Sequence, residues 1–327
     1  MSKALIVFSF NDPDLIDPIL RDRITMVETH PLNLKEKITI IKNYMFPEIC
    51  KEVGFNKDEI ILNESMIKFL IETYTNEAGV RKIKEKIVEI IRDINLNRFH
   101  TDEYVIPFTV TESYVKRLFE NRPKVRVKKI HDEPVVGIVN GLYATSSGIG
   151  GITLIQAVRF PADKMLDLQL TGKAGDVMKE SVQYSLKVAW SLLTKEEQDN
   201  IIEDSHNKKS FGIHIHCPDG ATPKDGPSAG LAFTLAIYSL LTNIKINNKV
   251  CMTGEVDLHG NAGIIGGLES KLHGGKKAGC TFALIPDDNM DDLERMRREG
   301  LSPEDDDFKV YPVTSIKDIL SHALVLN

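Results

Sequence analysis

The sequence predicts two architectures in tandem: a small all-helical domain, then a larger domain of mixed strands and helices. Three observations predict this. The chain has 327 residues, about twice an ordinary domain. Residues 34–100 repeat apolar positions at helical spacing, and residues 134–327 alternate short apolar runs with longer amphipathic stretches. The composition, 42% hydrophobic and 27% charged, is that of a globular protein. A net charge of −6 argues against a nucleic-acid coat protein and leaves room for a local basic patch. No apolar run approaches the roughly 18 residues that span a bilayer, so no membrane partner is expected. The N-terminus lacks the long apolar core and small-residue cleavage site of a signal peptide. Cys50, Cys217, Cys251 and Cys280 are scattered without a CxxC pair, which suits buried thiols in a reducing, intracellular compartment.

Taken in order, Ala4-Leu5-Ile6-Val7-Phe8 reads as a buried strand ending in a turn at Asn11-Asp12-Pro13. A strand so placed, with nothing before it to pair with, suggests a piece of something longer. In LKEKITIIKNYMFPEICKEV, Ile38, Ile41, Tyr44 and Met45 fall on one helical face. Asn63, Glu64 and Ser65 offer N-cap chemistry before MIKFLIETY. After Gly79, the residues Val80, Ile83, Ile87, Ile90, Ile91 and Ile94 form a stripe between charges. Residues 101–113 alternate like a short strand pair. The run 122–132 (RPKVRVKKIHD) carries five basic residues and reads as a solvated linker, or else as a nucleic-acid or substrate contact.

Beyond it, VVGIVNGLYA, GGITLIQAVRF, FGIHIHC, KVCMTGEVD and FALIPDD read as strands, and AGDVMKESVQYSLKVAWSLL as a helix. SAGLAFTLAIYSLLTN is an almost wholly apolar helix that must be buried on nearly every side. This order argues for an α+β or α/β domain.

The candidate chemistry lies between residues 223 and 277. In PKDGPSAG (223–230), Ser228 stands at the start of the apolar helix, as a cap or as a nucleophile where free N–H groups and the helix dipole favour an oxyanion. A nucleophilic serine needs a base. His214 and His216 share one face of a strand, and His259 and His273 follow. The stronger candidate is Lys271. If 267–278 is helical, Leu268, Lys271, Leu272 and Gly275 share a face, and an amine on an apolar face loses affinity for its proton. The alternative is a lysine that snorkels to solvent. No HExxH or comparable ligand spacing supports a metal.

PKDGPSAG, followed 43 residues after Ser228 by the lysine of GGLESKLHGGKKAG, resembles the Lon family of ATP-dependent proteases. MTGEVDLHGNAGIIGG (252–267) and TGKAGDVMKES (171–181) resemble further family motifs, and together these stretches cover residues 135–327. The resemblance implies an α+β proteolytic domain over 134–327 with a Ser-Lys dyad, Ser228 as nucleophile and Lys271 as general base. It implies that Thr253 supports the amine by a hydrogen bond and that Asp225 can occupy the cleft at rest. His214 and His216 then lie near the site, and Glu255 is the acid of MTGE. The chain departs from the family where Tyr143-Ala144-Thr145 replaces a Trp-Thr pair after Gly-Leu.

The N-terminal third resembles the same family. IVFSFNDPDLIDPILRDRI (6–24) is similar to the end of an AAA+ core, with Asn11 as the sensor-1 asparagine and Arg23 as the arginine finger. The implied units are the end of that core at 1–28, an AAA+ small helical domain at 29–121 with Arg81 as sensor-2 arginine, and a linker at 122–133. No GxxxxGK[ST] occurs in the sequence, so this chain is expected to hold no cofactor and to lack ATPase activity. ATP and Mg are implied for a full-length protein. The implied partners are unfolded protein or peptide substrates, further copies in a ring of usually six, and DNA through residues 122–129. The implied compartment is the cytoplasm or an organelle lumen such as the mitochondrial matrix. The competing reading is a catalytically silent module for oligomerisation or nucleic-acid binding.

Overall fold

A computed structural model describes residues 5–10, 16–27, 32–56, 58–75, 77–100, 104–125, 127–145, 148–207, 210–218 and 226–325. The strand expected at residues 4–8 is not found in the described part of it. Residues 5–10 pair with no other described segment and Leu5 is 93% exposed. A strand is stable only with a ladder partner, and no described segment offers one.

The first unit is helical. A single turn, α1 (Pro18–Arg21), is capped by the Asp17 carboxylate. Helix α2 (Leu34–Ile40) opens with a reciprocal capping box between Asn33 and Glu36, and continues through a π turn into α3 (Phe46–Val53). Then follow β1 (Ile60–Ile61), α4 (Glu64–Tyr74), α5 (Arg81–Asn97), β2 (Phe108–Thr109) and α6 (Glu112–Leu118). Asn63 is the N-cap residue of α4, but its side chain makes no cap bond. The isoleucine stripe of α5 is buried from Ile83 to Ile94 against Ile41, Ile49, Leu70 and Phe119. The short strand at 108–109 pairs in parallel with β1 across the unit, not with a neighbour in its own segment. The linker is tied to both sides. Arg122 pairs with Glu89, the Val125 N–H donates to the Thr73 carbonyl, and Lys129 Nζ donates to the Lys277 carbonyl at 2.8 Å.

The second unit contains β3 (Ile138–Ala144), β4 (Gly150–Pro161), β5 (Leu168–Thr171), α7 (Asp176–Ser191), α8 (Lys195–His206), β6 (Phe211–His216) and α9 (Gly230–Thr242). It continues with β7 (Val250–Met252), β8 (Glu255–Val256), β9 (Ala262–Gly263), α10 (Leu268–Ala278), β10 (Phe282–Pro286), α11 (Met290–Glu299), β11 (Lys309–Val313) and α12 (Ile316–Ala323). Seven strands form one sheet in the order β11-β10-β7-β3-β4-β6-β5. The β3–β4 and β4–β6 pairs are antiparallel and the other pairs are parallel. The unit is therefore mixed α/β around a mixed sheet.

Strand alternation builds three layers. Val139, Ile155, Val250, Met252 and Leu284 face α7, α9 and α12. Leu142, Ile152, Cys251, Ala283 and Ile285 face α10 and α11 on the other side. Helix α9 is apolar all round because it is enclosed, with Leu231 through Ile237 fully buried. All four cysteines are free and buried. No helix among the described residues is long and apolar enough to cross a membrane.

Candidate active site

Helix α10 forms as its apolar spacing predicts. It opens after Gly267 and ends at Gly279, both left-handed, and it buries Leu268, Lys271, Leu272, Gly274 and Gly275 toward the sheet. Lys271 is 4% exposed, so the snorkelling alternative does not hold. Its Nζ donates to Thr253 Oγ1 at 3.1 Å. Burial lowers the affinity of the amine for its proton, from the usual 10.5 to about 8.

Ser228 lies two residues before α9. The N-cap position belongs to Ala229 and no side chain caps the helix, so the hydroxyl is not spent as a cap. The turn is fixed from below. The Ser228 carbonyl accepts the Gly254 N–H at 2.8 Å and the Thr253 hydroxyl at 3.1 Å, while the Leu231 N–H donates to the Gly254 carbonyl at 3.1 Å. Thr253, fully buried, thus receives the lysine amine and donates to the serine backbone. Lys271 and Ser228 are joined through one hydroxyl.

Ser228 also lines a cleft of about 1500 Å³, together with Gly226, Met178 and the hairpin residues Tyr143, Ala144, Gly148, Gly150 and Gly151. Lys271 lies behind that wall. The α7 side chain of Ser185 and the α9 side chain of Thr234 both donate to the Gly230 carbonyl, at 3.1 and 2.9 Å, and anchor the turn further. The sequence reading passed over Gly254 and Ser185. Gly254 was signalled only by its place in the MTGE stretch and Ser185, one turn beyond VMKES, by nothing local, and their role depends on packing between α7, α9 and β7.

The other expected residues divide. His214 and His216 share a face as predicted, but their rings bond to Thr171 Oγ1, at 2.9 and 2.7 Å, and not to Ser228 or Lys271. Glu255 is exposed on β8, paired with Gly263. Arg23 is exposed after α1. Arg81 opens α5 with its side chain 91% exposed, 3.6 Å from Glu85. Asn11 and Asp225 lie outside the described residues. No group of three metal-ligating side chains occurs among the described residues.

The Lon protease (S16) C-terminal proteolytic domain profile matches residues 109–326, and the Lon protease AAA+ ATPase lid domain profile matches residues 51–104. The chain is 34% identical over 388 residues to a Lon protease homolog of Acanthamoeba polyphaga mimivirus, covering 100% of this chain and 37% of that protein. It is 36% identical over 328 residues to Lon protease 1 of Bacillus subtilis (strain 168), covering 99% of this chain and 40% of that protein. With the Lon protease of Campylobacter concisus (strain 13826) the identity is 34% over 339 residues, at 99% and 41% coverage. The chain spans about two-fifths of the length of these curated relatives.

Proposed function

The chain belongs to the Lon protease family, and on that premise we propose that it is a serine endopeptidase in which Ser228 and Lys271 act as a dyad. One observation carries the reading: a buried lysine amine, held by Thr253, stands one hydroxyl away from the backbone of a serine that opens on a cleft.

A proton affinity near 8 leaves about a tenth of the amine neutral at pH 7, which is the form a general base needs. The neutral amine takes the Ser228 proton as the serine oxygen attacks a peptide carbonyl. The Ser228–Ala229 turn supplies backbone N–H groups at the start of α9, where the helix dipole adds to oxyanion stabilisation. The ammonium then protonates the leaving amine, and water cleaves the acyl-enzyme with the same lysine as base. Thr253 orients the amine throughout. We propose supporting roles for Asp225, Glu255, His214 and His216 on the family resemblance alone.

In the whole protein, ATP with Mg and a ring of usually six subunits would deliver unfolded or damaged protein to this site. The helical unit, over 29–121, would be the AAA+ small domain, preceded by the end of the core at 1–28 and joined by the 122–133 linker to the proteolytic domain at 134–327. Asn11, Arg23 and Arg81 would sense nucleotide only there. Arg23 and Arg81 are exposed and form no phosphate cradle by themselves, so no step here runs through ATP. Four free buried thiols support a reducing intracellular location.

The test is a peptide phosphonate, with the labelled residue located by mass spectrometry. The expected result is a single adduct on Ser228, absent in Ser228→Ala. An adduct that persists in Ser228→Ala on another serine contradicts the assignment.

A further inference from the structure

We propose, resting on the dyad reading above, that Gly150 and Ser270 are positioning residues for Lys271. The start of β4 and the first turn of α10 meet backbone to backbone, and this contact sets how far the amine sinks toward Thr253.

A β-carbon at Gly150 would overlap the Ser270 carbonyl and stand 3.0 Å from the Lys271 nitrogen. One turn further along the helix, a β-carbon at Gly274 would overlap the backbone nitrogen of Gly151. Helix and strand therefore touch at two successive turns with no side chain between them. Ser270 adds a directed bond at the first of these turns. Its hydroxyl donates to the Gly148 carbonyl at 2.9 Å. That carbonyl belongs to a closed hairpin end, in which the Thr145 N–H donates to Ile149 at 2.8 Å and the Gly148 N–H donates to Thr145 at 2.9 Å.

Among the described residues the buried Lys271 amine has Thr253 as its acceptor, and how far it reaches toward that hydroxyl depends on where the α10 backbone sits. That position is fixed by Gly150 on one side and Ser270 on the other. The same hairpin, through Ala144, Gly148, Gly150 and Gly151, lines the cleft beside Ser228. The backbone that walls the cleft thus also seats the base. Neither Gly150 nor Ser270 is asked to touch the reacting atoms. Because burial lowers the amine's hold on its proton, a change in its depth is read as a change in proton affinity.

Competitive acetylation of lysines from pH 6 to 11, resolved peptide by peptide by mass spectrometry, measures Lys271 without requiring activity. In the unaltered chain Lys271 is expected to titrate near 8. Gly150→Ala pushes α10 outward and moves that midpoint up by about one unit. Ser270→Ala moves it in the same direction by less, and Ser270→Thr, which keeps the hydroxyl, restores it. Ser270→Ala removes only one part-buried hydroxyl and carries the test if Gly150→Ala does not fold. A Lys271 titration unchanged in Ser270→Ala overturns the proposal. The two readings separate cleanly. Phosphonate on Ser228 with an insensitive Lys271 removes the positioning alone. A shifted Lys271 with no phosphonate on Ser228 removes the dyad alone.

Discussion

Lys271 and Ser228 are coupled through Thr253, yet their surroundings are opposite. The amine is 4% exposed, donates to Thr253 and, among the described residues, is shifted by burial with no charged neighbour contributing. The serine is part-exposed, lines a cleft and sits on a turn whose backbone is bonded from below. The difference follows from what each group must do. A lysine becomes a base near neutral pH only by losing water, and a nucleophile works only if substrate can reach it. The first costs stability and the second costs little, so the two residues should separate when stability and activity are measured together.

The largest expected effect leaves them alike. Ser228→Ala and Lys271→Met each reduce peptide cleavage by at least about 10³-fold, measured as kcat on a fluorogenic peptide, because dyad members act as a unit. Wild-type turnover in either variant breaks the comparison at its base.

Stability then separates them. Below pH 8 the folded chain holds a protonated, desolvated lysine, and the penalty is fully present. Between about 8 and 10.5 the unfolded chain keeps a proton that the folded chain has released, so stability rises with pH; above 10.5 the penalty is gone. Lys271→Met is therefore expected to be more stable at pH 7 by up to about 3 kcal/mol, a gain that fades as pH approaches 10.5. Ser228→Ala stays within about 0.5 kcal/mol at any pH, since the side chain caps nothing. Urea unfolding at pH 7 and pH 10 measures both. A Lys271→Met variant destabilised equally at both pH values contradicts the burial account.

A smaller effect sharpens the link between the halves. Thr253→Val keeps the shape but removes the acceptor for the amine and the donor to the Ser228 carbonyl. The expectation is a fall in kcat of about tenfold with KM within twofold, by steady-state kinetics. The smallest effect concerns the histidines. As supporting residues whose rings are engaged by Thr171 rather than by the dyad, His214→Ala and His216→Ala are each expected to lower kcat by about threefold. An unchanged kcat in both variants, by steady-state kinetics, would remove the supporting role.

Much of this was legible one element at a time. The spacing of Leu268, Lys271, Leu272 and Gly275 marks α10 and its buried face, and the alternation in FGIHIH marks β6. Other signals were present but unread. The pair Thr194 and Glu197, which forms a capping box, announces α8. Thr111, whose hydroxyl caps α6, marks a helix in a stretch read as strands. What local pattern does not carry is pairing at a distance. Leu5-Ile6-Val7-Phe8 has strand composition and no strand, while β7, three residues long, is held by parallel neighbours β3 and β10 far away in the chain. The site shows the same limit. Residue types made Ser228 and Lys271 candidates, but their joining through Thr253 depends on β7 ending beneath the turn before α9.

The most direct measurement is the rate at which Ser228 is phosphonylated between pH 6 and 10. The account predicts a rise with a midpoint near 8 that disappears, together with most of the rate, in Lys271→Met. A rate independent of pH over that range, or one equally fast without the lysine, would contradict a dry amine acting as the base.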